Sequence, residues 1–220
     1  PVEASGHAAA GLLARRLLEH LFVAGLELLL GVVDPLLGVL DLLARFNLPA
    51  EQLFTVFDHC RDVGIEVMCT AWDPPSVQQL ADYGVPALKV ASADLTNHAL
   101  LREMAATGRP LVISTGMSTE QEIRESVAVV RESAVPFALL HCQSTYPAPF
   151  KDLNLRYLTR LAEIGGCPVG YSGHERGFHV PLAAIALGAR IIEKHFTLDK
   201  SMEGNDHKVS LLPGEFSEMV

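Results

Sequence analysis

Two histidines, His174 and His195, each stand just after an apolar run and just before a polar, glycine-containing segment. The stretches read PVGYSGHERG and ARIIEKHFTLDKSMEGNDHK. Neutral imidazoles delivered from neighbouring strand ends make half of a divalent-metal site, with Asp206 close behind as a carboxylate. Such a metal polarises a carbonyl as a Lewis acid. Polar residues also close the other apolar runs: Thr70; Lys89 and Ser92, with Asp94 in the loop; Ser114 and Thr115; Gln143, Ser144 and Tyr146; Ser172. Lys89 is a point charge for a phosphate or carboxylate. The hydroxyls of Ser92, Ser114 and Ser172 have protons to donate to its oxygens. The set suits a small phosphorylated ligand. Each member has a plainer reading. A lone strand-end histidine is more often a hydrogen-bonded core residue than a ligand. Lys89 could serve a structural ion pair, and serines also cap helices. Lys194, next to His195, points to the opposite sheet face. His141 has no assigned role, and His207 and Lys208 lie in a loop.

The elements that must carry these residues recur along the chain. From Asn47 onward a unit repeats: a helix, a glycine near its end, often a proline, then a short apolar run. Glycine suits the left-handed residue that ends a helix, and proline cannot continue one. EVMCT, YGVPALKVAS, TGRPLVISTG, SAVPFALLHCQS, GGCPVGYSGH and LGARIIEKHF are the instances, six strands spaced by about 22 to 31 residues. The runs are continuously apolar, as in strands covered on both faces. Between them lie amphipathic helices. One follows Ser118, which forms a capping box with Gln121; another carries Leu153, Leu155, Leu158, Leu161 and Ile164. Such repetition predicts a parallel α/β sheet, a (β/α)8 barrel or an open doubly wound sheet. In a barrel, the strand ends named above share one mouth. No strand is followed by a GxGxxG or GxxxxGKS/T loop, which counts against nucleotide binding.

The 220 residues, 49% of them hydrophobic, suffice for a globular domain with a real core. A net charge of −9 argues against a general nucleic-acid binder. It leaves room for an anionic metabolite held locally. The four cysteines, Cys60, Cys69, Cys142 and Cys167, form no CxxC pair and read as free thiols of a reducing, cytoplasmic compartment. Residues 1–45 differ from the rest, being rich in Leu, Ala, Gly and Val. Leu21 to Leu40 has nearly the length of a membrane span, but Glu27, Asp34 and Pro35 interrupt it. Helices with a break at Asp34–Pro35 are expected there instead. The domain reading is therefore an apolar helical segment over 1–45 and a barrel-type domain over 46–220. A start at Pro1 rather than Met is what a processed product or a fragment shows.

LKVASADLTN, LVISTGM, LLHCQSTYPAP, DLNLR, VGYSGHERG, LAAIALGA, IIEKHFTLDK and GNDHKVSLLP stand in this order between about residues 50 and 220. Together they resemble the sialic acid synthase (N-acetylneuraminate synthase) family, and the set is specific because several uncommon motifs keep their order and spacing. The resemblance implies a (β/α)8 TIM barrel. It also implies condensation of phosphoenolpyruvate with an N-acylated aminosugar, such as N-acetylmannosamine, to a nine-carbon 2-keto sugar acid with release of phosphate. By the same resemblance, manganese or magnesium sits on His174 and His195. Lys89, Ser92, Ser114, Ser144 and Ser172 hold phosphoenolpyruvate, with Thr70 at the same end. Tyr146, Asp94 and Asp206 fall where the family contacts the amino sugar. A homodimer is implied, with no nucleic acid and no membrane.

This sequence departs from the family at several points. Ser144 stands where Asn is usual, Asp94 where Glu is usual, and GNDHK replaces GPDHK. The family's opening IAEIG and VKFQ strands have no match in residues 1–50, and the 220 residues do not include the family's C-terminal antifreeze-like domain. The expectation is the last six βα units of a synthase-type barrel, altered or incomplete at its N-terminus. Two rival readings stand beside it. One is an inactive relative that binds a ligand or partner subunit. The other is a metal-free Schiff-base aldolase on Lys89, against which the paired histidines count.

Overall fold

The structure is a computed structural model that describes Ala44, Arg45 and residues 47–220. The expected helices of residues 1–45, their break at Asp34–Pro35 and the apolar run from Leu21 to Leu40 lie outside the described residues, apart from helical Ala44 and Arg45. No helix among the described residues is long and apolar enough to cross a membrane. The chain divides into two compact units, residues 1–56 and 57–220, and every strand among the described residues belongs to the second.

Helix α1 (Ala50–Asp62) leads into β1 (Cys69–Thr70), and from there strands and helices alternate. They are α2 (Pro74–Tyr83), β2 (Leu88–Val90), α3 (His98–Ala106), β3 (Leu111–Ser114), α4 (Glu120–Arg131), β4 (Phe137–Cys142), α5 (Tyr157–Gly165), β5 (Val169–Gly173), α6 (His179–Ala186), β6 (Ile191–Lys194) and α7 (Pro213–Met219). All six strands pair in parallel, in sequence order. This is the βα repetition the sequence predicts, and it supplies six of the eight strands of the expected barrel.

The sheet is curled rather than flat. Lys89 on β2 and Glu193 on β6 are four strands apart, a separation of roughly 19 Å in a flat sheet at about 4.8 Å per step. Their Nζ and Oε2 atoms are 3.6 Å apart. Alternation along the strands then sorts the side chains. Leu88, Ile113, Leu139 and Tyr171 are fully buried, while Lys89, Ser114 and Ser172 turn to the concave face.

Local chemistry sets the boundaries, in places differently from the sequence reading. The capping box of α4 is Thr119 with Glu122, one residue beyond the expected Ser118 and Gln121. Thr119 Oγ1 accepts from the Glu122 N–H at 3.4 Å, and Glu122 Oε2 accepts from the Thr119 N–H at 2.7 Å. Leu153 and Leu155 precede α5 instead of lying in it, because Asn154 adopts φ 46°, a left-handed conformation that no helix passes through. The expected strand over Glu66–Thr70 shrinks to Cys69–Thr70, since Glu66 and Met68 face solvent and β1 has a neighbour on one side only among the described residues. All four cysteines are free thiols.

Candidate active site

The carboxyl ends of the strands surround a cavity of about 300 Å³ on the concave face. That is the size of a small-metabolite pocket. Nine of the residues named from the sequence line it: Thr70, Lys89, Ser92, Ser114, Ser144, Tyr146, Ser172, His174 and His195. They come from every strand end from β1 to β6, and only the curling of the sheet brings them together.

Lys89 forms the floor. Its Nζ donates to Ser114 Oγ at 2.7 Å and to the Val90 carbonyl at 2.9 Å, and faces Glu193 Oε2 at 3.6 Å. Burial pulls the Lys89 pKa down, and the Glu193 charge works against that shift. Ser92 Oγ accepts from the Gly116 N–H at 3.1 Å and shares a hydrogen bond with Cys142 Sγ at 3.2 Å. Gly116 has a steric reason to be glycine: a methyl group there would stand 2.4 Å from Cys142 Sγ and 2.5 Å from Ser144 Oγ. An ammonium bonded to one hydroxyl, in a half-enclosed cavity also lined by Ser92 and Ser172, has the chemistry to hold a small anion.

The histidines form the wall. Their ring centroids are 5.2 Å apart, and Tyr146 packs against both, at 4.4 Å from His174 and 5.8 Å from His195. His174 Nδ1 lies 3.0 Å from the Gln143 carbonyl oxygen, an acceptor only, so the hydrogen bond assigns the proton to Nδ1. Nε2 is left as the basic nitrogen and takes the Tyr146 hydroxyl proton at 3.0 Å. Burial lowers the His174 pKa, and nearby His195 lowers it further, so the ring is neutral at pH 7. Burial likewise raises the Tyr146 pKa, with Asp206 adding to the rise.

Among the described residues no three His, Cys, Asp or Glu side chains are close enough to enclose an ion. Two imidazoles on one cavity wall still fit a catalytic divalent cation, which keeps places for water and substrate, with the Tyr146 hydroxyl giving up His174 Nε2 to it. Glu193 strengthens that fit. Its Oε2 is a buried oxygen without a hydrogen-bond partner, turned into the same cavity.

Other candidates fall elsewhere. Asp94 does not line the cavity; its Oδ1 accepts from Asn97 Nδ2 at 3.3 Å. Asp206 is exposed, with Oδ2 4.0 Å from His195 Nδ1. Thr115 donates to the Leu140 carbonyl at 3.0 Å, away from the pocket. His141 lies on the outward face, its Nε2 2.6 Å from the Leu153 carbonyl. His207 Nδ1 pairs with Thr197 Oγ1 at 2.7 Å. Glu193, Trp72 and Met117 line the cavity but were not singled out from the sequence. Glu193 had a signal: it is two residues before His195, hence on the same face of β6. Trp72 and Met117 had none, because they sit in loops.

A larger cavity, about 470 Å³, opens at the opposite end of the strands between residues such as Val112, Phe137, Ala138 and Ile191. Its lining offers an anion no charged partner, so size does not make it the chemical site.

Comparison with known proteins bears on the family and the fold. The NeuB family model matches residues 38–220. N-acetylneuraminate-9-phosphate synthase of Drosophila melanogaster is 41% identical over 172 residues, covering 77% of this chain and 46% of that protein. N,N'-diacetyllegionaminic acid synthase of Legionella pneumophila is 39% identical over 185 residues, covering 82% of this chain and 52% of its own. The crystal structure of N-acetylneuraminic acid (sialic acid) synthetase from Leptospira borgpetersenii, in complex with citrate, superposes with a TM-score of 0.76 at 34% identity, over 79% of this chain and 61% of that one. The chain spans about half the length of the curated relatives it matches. With the matched motifs on the strand ends of a parallel βα half-barrel, the chain belongs to the NeuB family, the family of the sialic acid synthases.

Proposed function

We propose that this chain carries the catalytic pocket for condensing phosphoenolpyruvate with an N-acylated aminosugar aldehyde, giving a nine-carbon 2-keto sugar acid and phosphate. The observation that supports it most is the joining, in one cavity, of the Lys89 ammonium, bonded to the Ser114 hydroxyl, with the imidazoles of His174 and His195. Lys89, Ser92, Ser114 and Ser172 bind and orient the phosphate and carboxylate of phosphoenolpyruvate. A divalent cation, manganese or magnesium, on His174 and His195 would supply Lewis acidity toward the aldehyde oxygen. The enol carbon then forms the new bond to the aldehyde carbon, water adds to the resulting cationic centre, and the carbon–oxygen bond to phosphate breaks. Donors fixed around the anion stabilise the charge that develops. Lys89 donates to Ser114 and Val90 and faces the Glu193 charge at 3.6 Å, a state that suits an ammonium better than a Schiff-base nucleophile.

The test is phosphate release from phosphoenolpyruvate by the purified chain with N-acetylmannosamine, with and without manganese, beside His174→Ala and His195→Ala. Manganese-dependent release that both substitutions abolish is the expected result. Release that needs no metal and survives both substitutions would sink the reading. A folded chain that binds phosphoenolpyruvate in calorimetry without turnover points to another amino sugar. Failure to bind it favours the inactive relative.

A further inference from the structure

Behind the two histidines, on the outward face of the same strands, lies a second charged group that the proposed reaction does not use. Glu175 and Lys194 are paired at 3.0 Å, and neither side chain has any exposure to solvent. Lys194 Nζ also donates to the main-chain carbonyl of Glu175. The other carboxylate oxygen, Oε2, accepts from the fully buried Tyr171 hydroxyl at 2.6 Å. The chain leaves room for the carboxylate: a methyl group on Gly173 would stand 2.8 and 3.0 Å from its two oxygens.

A buried ion pair adds little net stability over apolar packing, so its presence asks for another account. Its position gives one. Glu175 directly follows His174, and Lys194 directly precedes His195. The β5–β6 ladder ends at the Gly173–Lys194 pair, so His174 already lies beyond the regular sheet. On the β4 side it is held by its ring bond to Gln143 and by the Ala148 N–H, which donates to its carbonyl at 3.0 Å. On the β6 side, two bonds from Lys194 to Glu175 tie the departing loop to the strand that carries His195.

We propose that Glu175 and Lys194 are positioning residues that set the mutual placement of the His174 and His195 rings. The proposal rests on the metal-assisted reading for its consequence, a tuned affinity for a divalent cation, but the ring placement can be read without metal. The test is the double variant E175Q/K194M. It removes both charges together, leaves neither ion buried alone, and keeps an acceptor for Tyr171. A milder second variant, Tyr171→Phe, removes one hydrogen bond to the carboxylate. Each protein, labelled with ¹⁵N-histidine, is compared with wild type in three ways: thermal midpoint, metal-free ring ¹H–¹⁵N spectra, and binding of Mn²⁺ alone, followed by electron paramagnetic resonance of the free ion.

The expected result is shifted ring signals for His174 and His195, and Mn²⁺ binding weaker by about 10- to 100-fold in the double variant, the range for lost supporting contacts at metal ligands. Tyr171→Phe should shift the same signals by less. Folded variants with ring spectra and Mn²⁺ affinity like wild type would overturn the proposal. If wild type itself binds no Mn²⁺ while the ring signals still move, the metal reading fails and the positioning role stands. If the double variant does not fold, Tyr171→Phe decides, and unmoved ring signals there overturn the proposal.

Discussion

Lys89 meets two hydrogen-bond acceptors and one carboxylate at the floor of the cavity, and a ligand anion would join them. Replacing it with methionine keeps the volume and removes the charge. Hydrogen bonds to charged groups are worth about 1.5–3 kcal/mol. Lys89→Met should therefore weaken phosphoenolpyruvate binding at least tenfold in calorimetry, and an unchanged affinity would remove Lys89 from the anion site. Gly116→Ala tests the same corner through sterics. Its methyl group collides with Cys142 and Ser144, and such overpacking costs about 1–3 kcal/mol. A lower unfolding midpoint together with weaker phosphoenolpyruvate binding is expected. At this scale much of the site was legible in the sequence. A polar residue closing a buried apolar run has nowhere to point but a pocket or a cap, and nine of the named residues share one cavity. Asp94 and Asp206, carried over from the family on motif position, lie outside its lining because short 3-10 turns, Ser92–Asp94 and Asp206–Lys208, set their direction. Glu193 was not legible because it lies within β6 rather than at its polar end, with only its two-residue spacing from His195 to mark its face.

Elements were legible in existence and order, less so at their ends. Periodicity locates α4, but the choice between Ser118 and Thr119 as its cap turns on backbone angles the sequence does not display. Thr119 is extended at φ −73° and ψ 162°, and the reciprocal bonds with Glu122 follow from that. Thr119→Ala should cost about 1 kcal/mol in urea unfolding, while Ser118→Ala should cost little; the reverse order would contradict the assigned cap. His141 shows what an apparently idle histidine does. It bonds the Leu153 carbonyl just before the left-handed turn at Asn154, packs on Tyr157 and Tyr171, and so pins the start of α5 to β4. Burial lowers its pKa below the ordinary 6.5. The folded state therefore binds fewer protons than the unfolded state. The stability that His141 contributes is present above pH 6.5 and is lost as pH falls through the depressed folded value. Urea unfolding should show stability dropping between pH 7.5 and 5.5, with a smaller drop in His141→Gln. Equal drops in both would assign the loss to other groups.

For the whole molecule, β1 and β6 each pair on one side only among the described residues, and Met68, Trp72, Phe196 and Leu198 lie exposed beside those edges. Open edges recruit further strands. The 220-residue chain alone should sediment as dimers or larger species, whereas a monodisperse monomer would show that residues outside the described set cover the edges. Curvature was the least legible property, because no single strand encodes it. It appears only when Lys89 reaches Glu193 across four strand spacings. That chord across the half-barrel bears on selectivity. The resting pocket holds its own counter-anion, so a visitor does not meet a bare cation; it competes with a carboxylate already in place. A monocarboxylate such as pyruvate exchanges one single charge for another and gains little. A phosphoryl group brings roughly two charges and would compete better for Lys89. On the proposed reading, Glu193 would favour a ligand of higher negative charge over small monocarboxylic acids.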